Sequence, residues 1–169
     1  ISFSQWSTGL VLRLHERGHL SSDYAHLYVH DVFLSERPVF ISITSSRQQT
    51  AIYIDGALAR MSAQLSLPCE NLRGQFVAGT SPEADDGWRG HMLGLAIYKE
   101  ALTAAEIQQH VRKWAKDRLS LVSADSGRTA LYLFNEHRGR SVHNVLRSGG
   151  DLHIPETYTV ADKVRLSMP

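Results

Sequence analysis

Apolar and polar residues alternate along much of the first hundred positions of the chain, which is the pattern of short β-strands with one buried face. In segment 10–15, leucines at every second position alternate with Val11, Arg13 and His15, and this predicts a half-buried strand. Turn-forming residues separate such segments. The predicted strands cover 1–3, 10–15, 26–30, 39–44, 50–54, 57–60 and 92–98.

The dipeptide Asp55-Gly56 lies between two of these strands. Asp-Gly is a strong indication of a two-residue β-hairpin, because both residue types tolerate the positive φ angles that such turns need. The strand 50–54 is therefore predicted to turn back directly into 57–60.

After position 100 the apolar period changes from two residues to that of a helix. Thr103 and Glu106 have the spacing of a capping box, in which each side chain bonds to the backbone N–H of the other residue. The sequence predicts a helix over 104–116 with one narrow apolar stripe against a sheet. The stripe consists of Ile107, His110, Val111 and Trp114.

Short alternating strands with turns between them and one short helix predict an all-β fold. The expected architecture is a two-sheet antiparallel jelly-roll sandwich. The sequence shows no alternation of strands and helices, so its pattern does not predict a parallel sheet.

Two stretches resemble a known family. The segment from Gly79 to Ile107, which contains W-R-G and L-G-L-A-I-Y-K-E-A-L-T-A-A-E-I, is similar to the closing part of laminin-G-like, concanavalin A-like jelly-roll domains. The hairpin F-I-S-I-T…A-I-Y-I-D-G-A-L is similar to the central hairpin of that family. The bacterial subgroup found beside VanZ-type membrane domains is the most similar. Gly94 stands where many members carry Asp, so this chain lacks that carboxylate.

The C-terminal part 129–155 resembles the opening strands of the same family, with Asn135 and Asn144 in place of the usual aspartates. Two interpretations remain: the tail completes this sandwich, or it begins a second unit. The first is favoured, because an isolated strand pair lacks a core, and it makes residues 1–169 one domain. Tyr132 and Phe134 are the expected buried pair of the tail strand, since aromatic rings bury more area than leucines.

The composition argues against some classes of function and leaves others open. The chain has 169 residues, 43% of them hydrophobic, and 18 basic against 17 acidic side chains. This balance gives no general attraction to nucleic acid. With Cys69 as the single cysteine, no intramolecular disulfide can form. No apolar run approaches the roughly 20 residues of a membrane span, and the start at Ile1 without a signal peptide suggests a fragment or processed product.

An acidic loop carries the candidate metal and acid groups, Glu83, Asp85 and Asp86. Several oxygens on a flexible loop suit calcium, which is the cofactor this segment would take. A solvated acidic turn is the alternative. Glycoside hydrolysis needs two opposed carboxylates, and no such pair can be assembled from the sequence.

Histidines and aromatic residues provide the other candidates. His26 and His30 share a strand face, and His15 lies on a neighbouring strand. Three imidazoles placed in this way could bind zinc, and the alternative is that they are ordinary surface histidines. Carbohydrate binding needs an aromatic platform with polar groups around it. Trp6, Tyr24 and Tyr28 lie in or beside turns and are the candidate binding residues, whereas Trp88 is expected in the core.

The resemblance implies a non-catalytic binding module from an exported or membrane-attached protein of the bacterial cell envelope. Its partner would be carbohydrate or another surface polymer, without nucleic acid and without a membrane span in this chain. The alternative from a different class is a structural spacer or a protein–protein interaction domain. A degenerate glycosidase is the third hypothesis.

Overall fold

The computed structural model of the protein describes residues 2–13, 26–66, 88, 90–117, 127–147 and 149–154. These residues form antiparallel sheets and one short helix, α1 (Ala104–Lys116). The fold is all-β, as the sequence predicts. The strands are β1 (Ser2–Trp6), β2 (Gly9–Arg13), β3 (His26–Val29), β4 (Ile41–Ser45), β5 (Thr50–Ile54), β6 (Ala57–Ser62), β7 (Leu95–Tyr98), β8 (Arg128–Tyr132), β9 (Ser141–Val142) and β10 (Leu152–His153).

Two three-stranded sheets supply the main core. Their strand orders are β1-β2-β3 and β4-β5-β6. Leu10, Leu12 and Leu27 from the first sheet cluster with Ile52 from the second, and Leu65 closes the cluster. Because one cluster takes residues from both sheets, the sheets pack against each other through these faces, as in a sandwich.

The Asp55-Gly56 hairpin is confirmed between β5 and β6. Both residues have positive φ, 51° and 84°, as a primed two-residue turn requires. The Asp55 carboxylate also accepts a hydrogen bond from the Phe40 backbone N–H at 2.9 Å and pairs with Arg37 at 2.8 Å. A Cβ atom on Gly56 would lie 3.4 Å from the Val111 side chain, so the turn packs directly on helix α1.

The predicted helix is confirmed at both ends, Ala104 and Lys116, and so is its capping box. The Thr103 hydroxyl accepts from the Glu106 N–H, and the Glu106 carboxylate accepts from the Thr103 N–H at 2.7 Å. Ile107 and His110 are buried in the predicted stripe. The His110 ring stacks on Tyr98 at 5.5 Å, which fixes the helix beside strand β7.

Strand β2 corrects one expectation. The sequence predicts a strand with one buried face, yet Val11 is only 2% exposed, as buried as Leu10 and Leu12 on the opposite face. β2 is the central strand of its sheet. Val11 lies opposite Ser4 on β1 and Tyr28 on β3, so side chains flank it on both sides of this face.

Strand β7 is shorter than the predicted 92–98, because pairing begins at Leu95. Gly94 lies just before it, under the ring of Trp114, and a Cβ atom at this position would approach that ring to 3.1 Å. The absence of an Asp side chain here therefore has a packing reason: helix α1 places its tryptophan where that side chain would stand.

The tail strand β8 pairs with β7 in antiparallel register, with Leu95 opposite Tyr132. The expected buried pair is only half right. Tyr132 is 5% exposed, but Leu131 is 1% exposed and Phe134 is only half-buried. The strand ends at Tyr132, and Phe134 has a positive φ of 50°, so the two-residue alternation stops before it reaches Phe134.

Replacing Thr103 tests whether the capping box stabilises helix α1. Thr103→Ala leaves first-turn N–H groups without an acceptor and should lower the free energy of unfolding by about 1 kcal/mol. Urea denaturation measures the change. Gln109→Ala, an exposed change within the same helix, is the control and should cost nothing. Equal stability of Thr103→Ala and the parent protein would contradict the capping role.

We propose that the chain is one domain that the tail completes, because β8 pairs with β7 and buries Leu131 and Tyr132. Truncation after Ser126 would then leave an unpaired sheet edge and exposed apolar area. We expect the 1–126 fragment to aggregate or to fail to fold, as judged by gel filtration and circular dichroism. A soluble, monomeric fragment with the stability of the whole chain would show that the tail is a separate unit.

Candidate functional site

The first sheet presents a second face opposite the core. In the antiparallel register Trp6 lies opposite Gly9, and Val11 lies opposite Tyr28. Because side chains alternate along a strand, these residues share one face while Leu10 and Leu12 point into the core. Ser4, Arg13 and His26 extend the same face toward the other end of the sheet.

Three rings on this face form a cluster that we call the aromatic platform: Trp6, Tyr28 and His30. The Trp6 and Tyr28 rings meet edge to face with centroids 6.4 Å apart, and the Tyr28 and His30 rings meet in the same manner at 4.4 Å. Trp6 is 66% exposed. The platform therefore combines a largely solvent-exposed indole with two rings that hold one another at fixed angles.

Gly9 makes room for the platform. A Cβ atom at this position would overlap the Tyr28 ring, so the ring lies flat across the glycine backbone. Gly9 itself is buried. The absence of a side chain at Gly9 therefore allows Tyr28, on β3, to lie low across β2, where it meets Trp6 of β1.

Hydrogen bonds fix the β1–β2 turn, and Trp6 is the last residue of β1 before this turn. The Thr8 hydroxyl donates to the Asp31 carboxylate at 3.2 Å, and the Thr8 carbonyl accepts from the Phe33 N–H at 2.8 Å. The Gln5 amide donates to the Ser7 carbonyl at 3.1 Å. Because these bonds tie the turn to the segment after β3, the strand ends that carry Trp6 and Tyr28 stay together.

Polar groups lie along the same face. Arg13 donates to the hydroxyl of buried Ser4 at 3.0 Å, and His26 lies opposite Arg13 on strand β3. Rings stack on the C–H faces of sugars, and guanidinium, imidazole and hydroxyl groups bond to sugar hydroxyls. The face thus has both kinds of group that a carbohydrate site uses.

The structure brings together two of the three residues predicted for carbohydrate, Trp6 and Tyr28, and Tyr24 lies outside the described residues. The two-residue spacing predicts His30 on the strand face that carries Tyr28, as a candidate zinc ligand, and in the structure its ring contacts the Tyr28 ring. Sequence analysis missed Arg13 and Gly9, because their roles depend on pairing between strands. Within the described residues no group of three metal-ligating side chains comes together.

Trp88 belongs to the core, as predicted. Its ring packs against the core cluster and meets Phe33 edge to face at 5.3 Å. The acidic loop with Glu83, Asp85 and Asp86 lies outside the described residues, so its calcium site stays a prediction. His15 of the zinc hypothesis lies outside them as well.

Comparison with known proteins supports the domain family. Residues 33–108 match the family model Laminin_G_3, described as the concanavalin A-like lectin/glucanases superfamily. This match agrees with a binding or structural module. No curated protein matches the chain. In the part of the chain that the structure describes, no helix is long and apolar enough to cross a membrane.

A solved structure is similar over part of its length. It is the S-layer domain-containing protein (residues 221–444) from Clostridium thermocellum ATCC 27405, with 17% identity and a TM-score of 0.39. The alignment covers 61% of this chain and 51% of that one. The present chain thus spans about half of the length of that structure.

The tail, beyond the matched segment, is organised around a buried amide. Asn144 is 3% exposed, and its side-chain oxygen accepts from the N–H groups of Leu131 at 3.0 Å and Leu146 at 3.2 Å. Its backbone N–H donates to Asp151 at 2.9 Å. The Asn144 side chain thus has a structural role, since it ties strand β8 to the following turn.

The Asp151 carboxylate has a second partner in the His143 ring, at 2.8 Å. The pKa of Asp151 lies below its ordinary value. The larger cause is the hydrogen bond from the Asn144 N–H, and the second is the contact with His143. A carboxyl group whose pKa is lower in the folded protein stabilises the fold above its unfolded-state pKa, and that contribution disappears as pH falls through the folded-state pKa.

Replacing Asp151 tests this linkage. Asp151→Asn should be less stable than the parent protein at pH 7, and the difference should shrink below about pH 4, where carboxyl groups begin to protonate. Urea denaturation at several pH values measures both curves. Glu36→Gln, at an exposed carboxylate in a surface turn, is the control and should follow the parent at every pH. A constant difference between Asp151→Asn and the parent would contradict the linkage.

Proposed function

We propose that this domain is a non-catalytic module that binds carbohydrate on its aromatic platform. The observation that carries the proposal is the exposure of Trp6, at 66%, in a fixed edge-to-face contact with Tyr28. An exposed indole beside a second ring on a sheet offers a preformed apolar surface for a ligand. Sugar rings, with apolar C–H faces and polar edges, suit such a surface.

The sheet supports the platform in two ways. Trp6 and Tyr28 lie on strands β1 and β3, which both pair with β2, and the Leu10 and Leu12 side chains beneath them are fully buried. A site on strands loses little conformational freedom when a ligand binds. Arg13 and His26 lie farther along the same face, where they suit the hydroxyl groups of the next sugar units of a polymer.

The described part of this face suits binding better than hydrolysis. Residues 2–13 and 26–30 contain no Asp or Glu. A retaining or inverting glycosidase needs two carboxylates about 5 to 10 Å apart across the scissile bond. Residues 2–13 and 26–31 supply one carboxylate, Asp31, which accepts a hydrogen bond from Thr8, and so do not supply the pair that hydrolysis needs.

The wider setting is part of the same proposal. We place the domain in an exported or membrane-attached protein of a bacterial cell envelope, of the subgroup found beside VanZ-type membrane domains, with surface polymer as its partner. The family match over 33–108 supports a concanavalin A-like binding or structural module, which is the coarser part of this proposal. Calcium at Glu83, Asp85 and Asp86 would be a second, separate ligand of the acidic loop, detectable as a change in thermal stability on chelation.

Glycan binding can be tested on an array, with calcium and with a chelator, followed by titration calorimetry on the best ligand. We expect Trp6→Ala to weaken that ligand at least about tenfold, which corresponds to about 1.4 kcal/mol, because the stacking surface is lost. Tyr28→Phe, which keeps the ring, should retain most of the affinity.

Leu34→Ala is the matched control, since Leu34 is 69% exposed but lies outside the platform. It should bind like the parent protein. If the unchanged domain binds no glycan in either condition, the spacer or protein–protein interaction hypothesis replaces this one. If glycan binds equally well to Trp6→Ala, a carbohydrate site exists elsewhere on the domain.

A further inference from the structure

A cavity of about 300 Å³ opens in the tail, separate from the aromatic platform, and we call it the tail pocket. Phe134, Val142 and Ile154 form its apolar wall, and His137, Arg138 and Ser141 are among its polar lining. Small-molecule sites have this composition, and their volumes begin at about 300 Å³.

Hydrogen bonds join lining residues of the tail pocket to other residues of the tail. The Ile154 N–H donates to the Arg140 carbonyl at 2.9 Å, and the His143 N–H donates to the Glu136 carboxylate at 2.8 Å. Between these bonds β9 and β10 pair antiparallel, with Leu152 opposite Val142. These bonds and the strand pairing tie Glu136, Val142 and Ile154 of the lining to the rest of the tail.

The backbone of the lining is strained. Phe134 and His137 have positive φ angles of 50° and 54°, and a bulky residue such as phenylalanine rarely adopts them. Strain of this kind destabilises the fold and is concentrated at functional sites. Glycine would relieve it, as Gly139 does in the same loop at 81°. The Phe134 and His137 side chains are therefore kept at a cost to folding.

The charges of the tail select the ligand. Its described residues contain two acids, Glu136 and Asp151, and both already accept hydrogen bonds from the tail's own backbone. Glu136 and Arg138 both line the pocket. The Glu136 carboxylate accepts from the His143 N–H, whereas no hydrogen bond or ion pair joins Arg138 to another described residue. A guanidinium group in this setting favours a carboxylate, which it can bind through two parallel hydrogen bonds.

We propose that the tail pocket binds a sugar acid, with the carboxylate of a uronic acid unit on Arg138 and its C–H face on Phe134, Val142 and Ile154. An apolar wall alone would accept any small hydrophobic molecule. The wall together with one available guanidinium requires a compact ligand that is apolar on one face and anionic at one edge, and a uronic acid has this form.

Nuclear magnetic resonance titration of the whole chain at constant pH tests the site, with D-galacturonate as the probe. D-Galactose tests whether the carboxylate is needed, and acetate tests whether the sugar face is needed. We expect galacturonate to shift the amide signals of 134–142, and both comparison ligands to bind at least tenfold more weakly. Galactose or acetate binding as tightly as galacturonate would overturn the proposal.

Arg138→Gln should reduce galacturonate affinity at least tenfold, and Ile154→Ala should reduce it by removing part of the wall. Arg147→Gln is the matched control, since Arg147 lies in the same tail outside the pocket lining, and it should bind like the parent. Trp6→Ala should also leave this binding intact, which separates the tail pocket from the platform. Galacturonate binding that survives Arg138→Gln, or no binding by the parent, would overturn the proposal.

Discussion

The burial of one face of strand β2 against the second sheet is the constraint on which the rest of the structure depends. Leu10 and Leu12 are fully buried in one cluster with Ile52. Each such side chain contributes roughly 1.5–3 kcal/mol when it leaves water. The side-chain period of a strand is two, so this burial also decides which residues face away from the core. A shift of one residue would carry the apolar set out of the core.

The burial of Leu10 and Leu12 also determines which residues form the aromatic platform on the other face of the sheet. With Leu10 and Leu12 inside, the register leaves Trp6, Gly9 and Tyr28 together on the opposite side. No separate interaction has to select this arrangement, because the core has already fixed it. The ring contacts then set the angles between the rings, and the Thr8 bonds to Asp31 and Phe33 hold the end of the sheet where they lie.

Features with a local cause could be predicted from sequence. The helix 104–116 follows from a capping box and a helical apolar period, and the Asp55-Gly56 hairpin follows from the angles those two residues accept. Features that depend on partners distant in sequence could not. Val11 is buried because β2 is central, and Trp6 meets Tyr28 because β1 and β3 flank the same strand.

The tail shows a different limit of sequence patterns. Alternation predicted Tyr132 and Phe134 on one buried face, but alternation holds only while the backbone stays extended. The left-handed conformation of Phe134 ends the strand and turns this ring into the lining of the tail pocket. Phenylalanine gives no sign of positive φ in a sequence, since that conformation is rare for bulky residues.

Among the described residues, Gly9 and Gly94 both lie under aromatic rings, and their surroundings differ. Trp114 covers Gly94, and its ring meets Phe40 at 6.0 Å, so that pair belongs to the packing of helix α1 on the sheets. Tyr28 covers Gly9 in the same way, but its ring neighbours are exposed Trp6 and His30. A glycine beneath a ring shows only that the ring must lie close to the backbone. The exposure of the neighbouring rings distinguishes the two cases: the Trp114 ring completes the packing of helix α1, whereas Tyr28 lies beside exposed rings, and this exposure supports the binding surface that we propose.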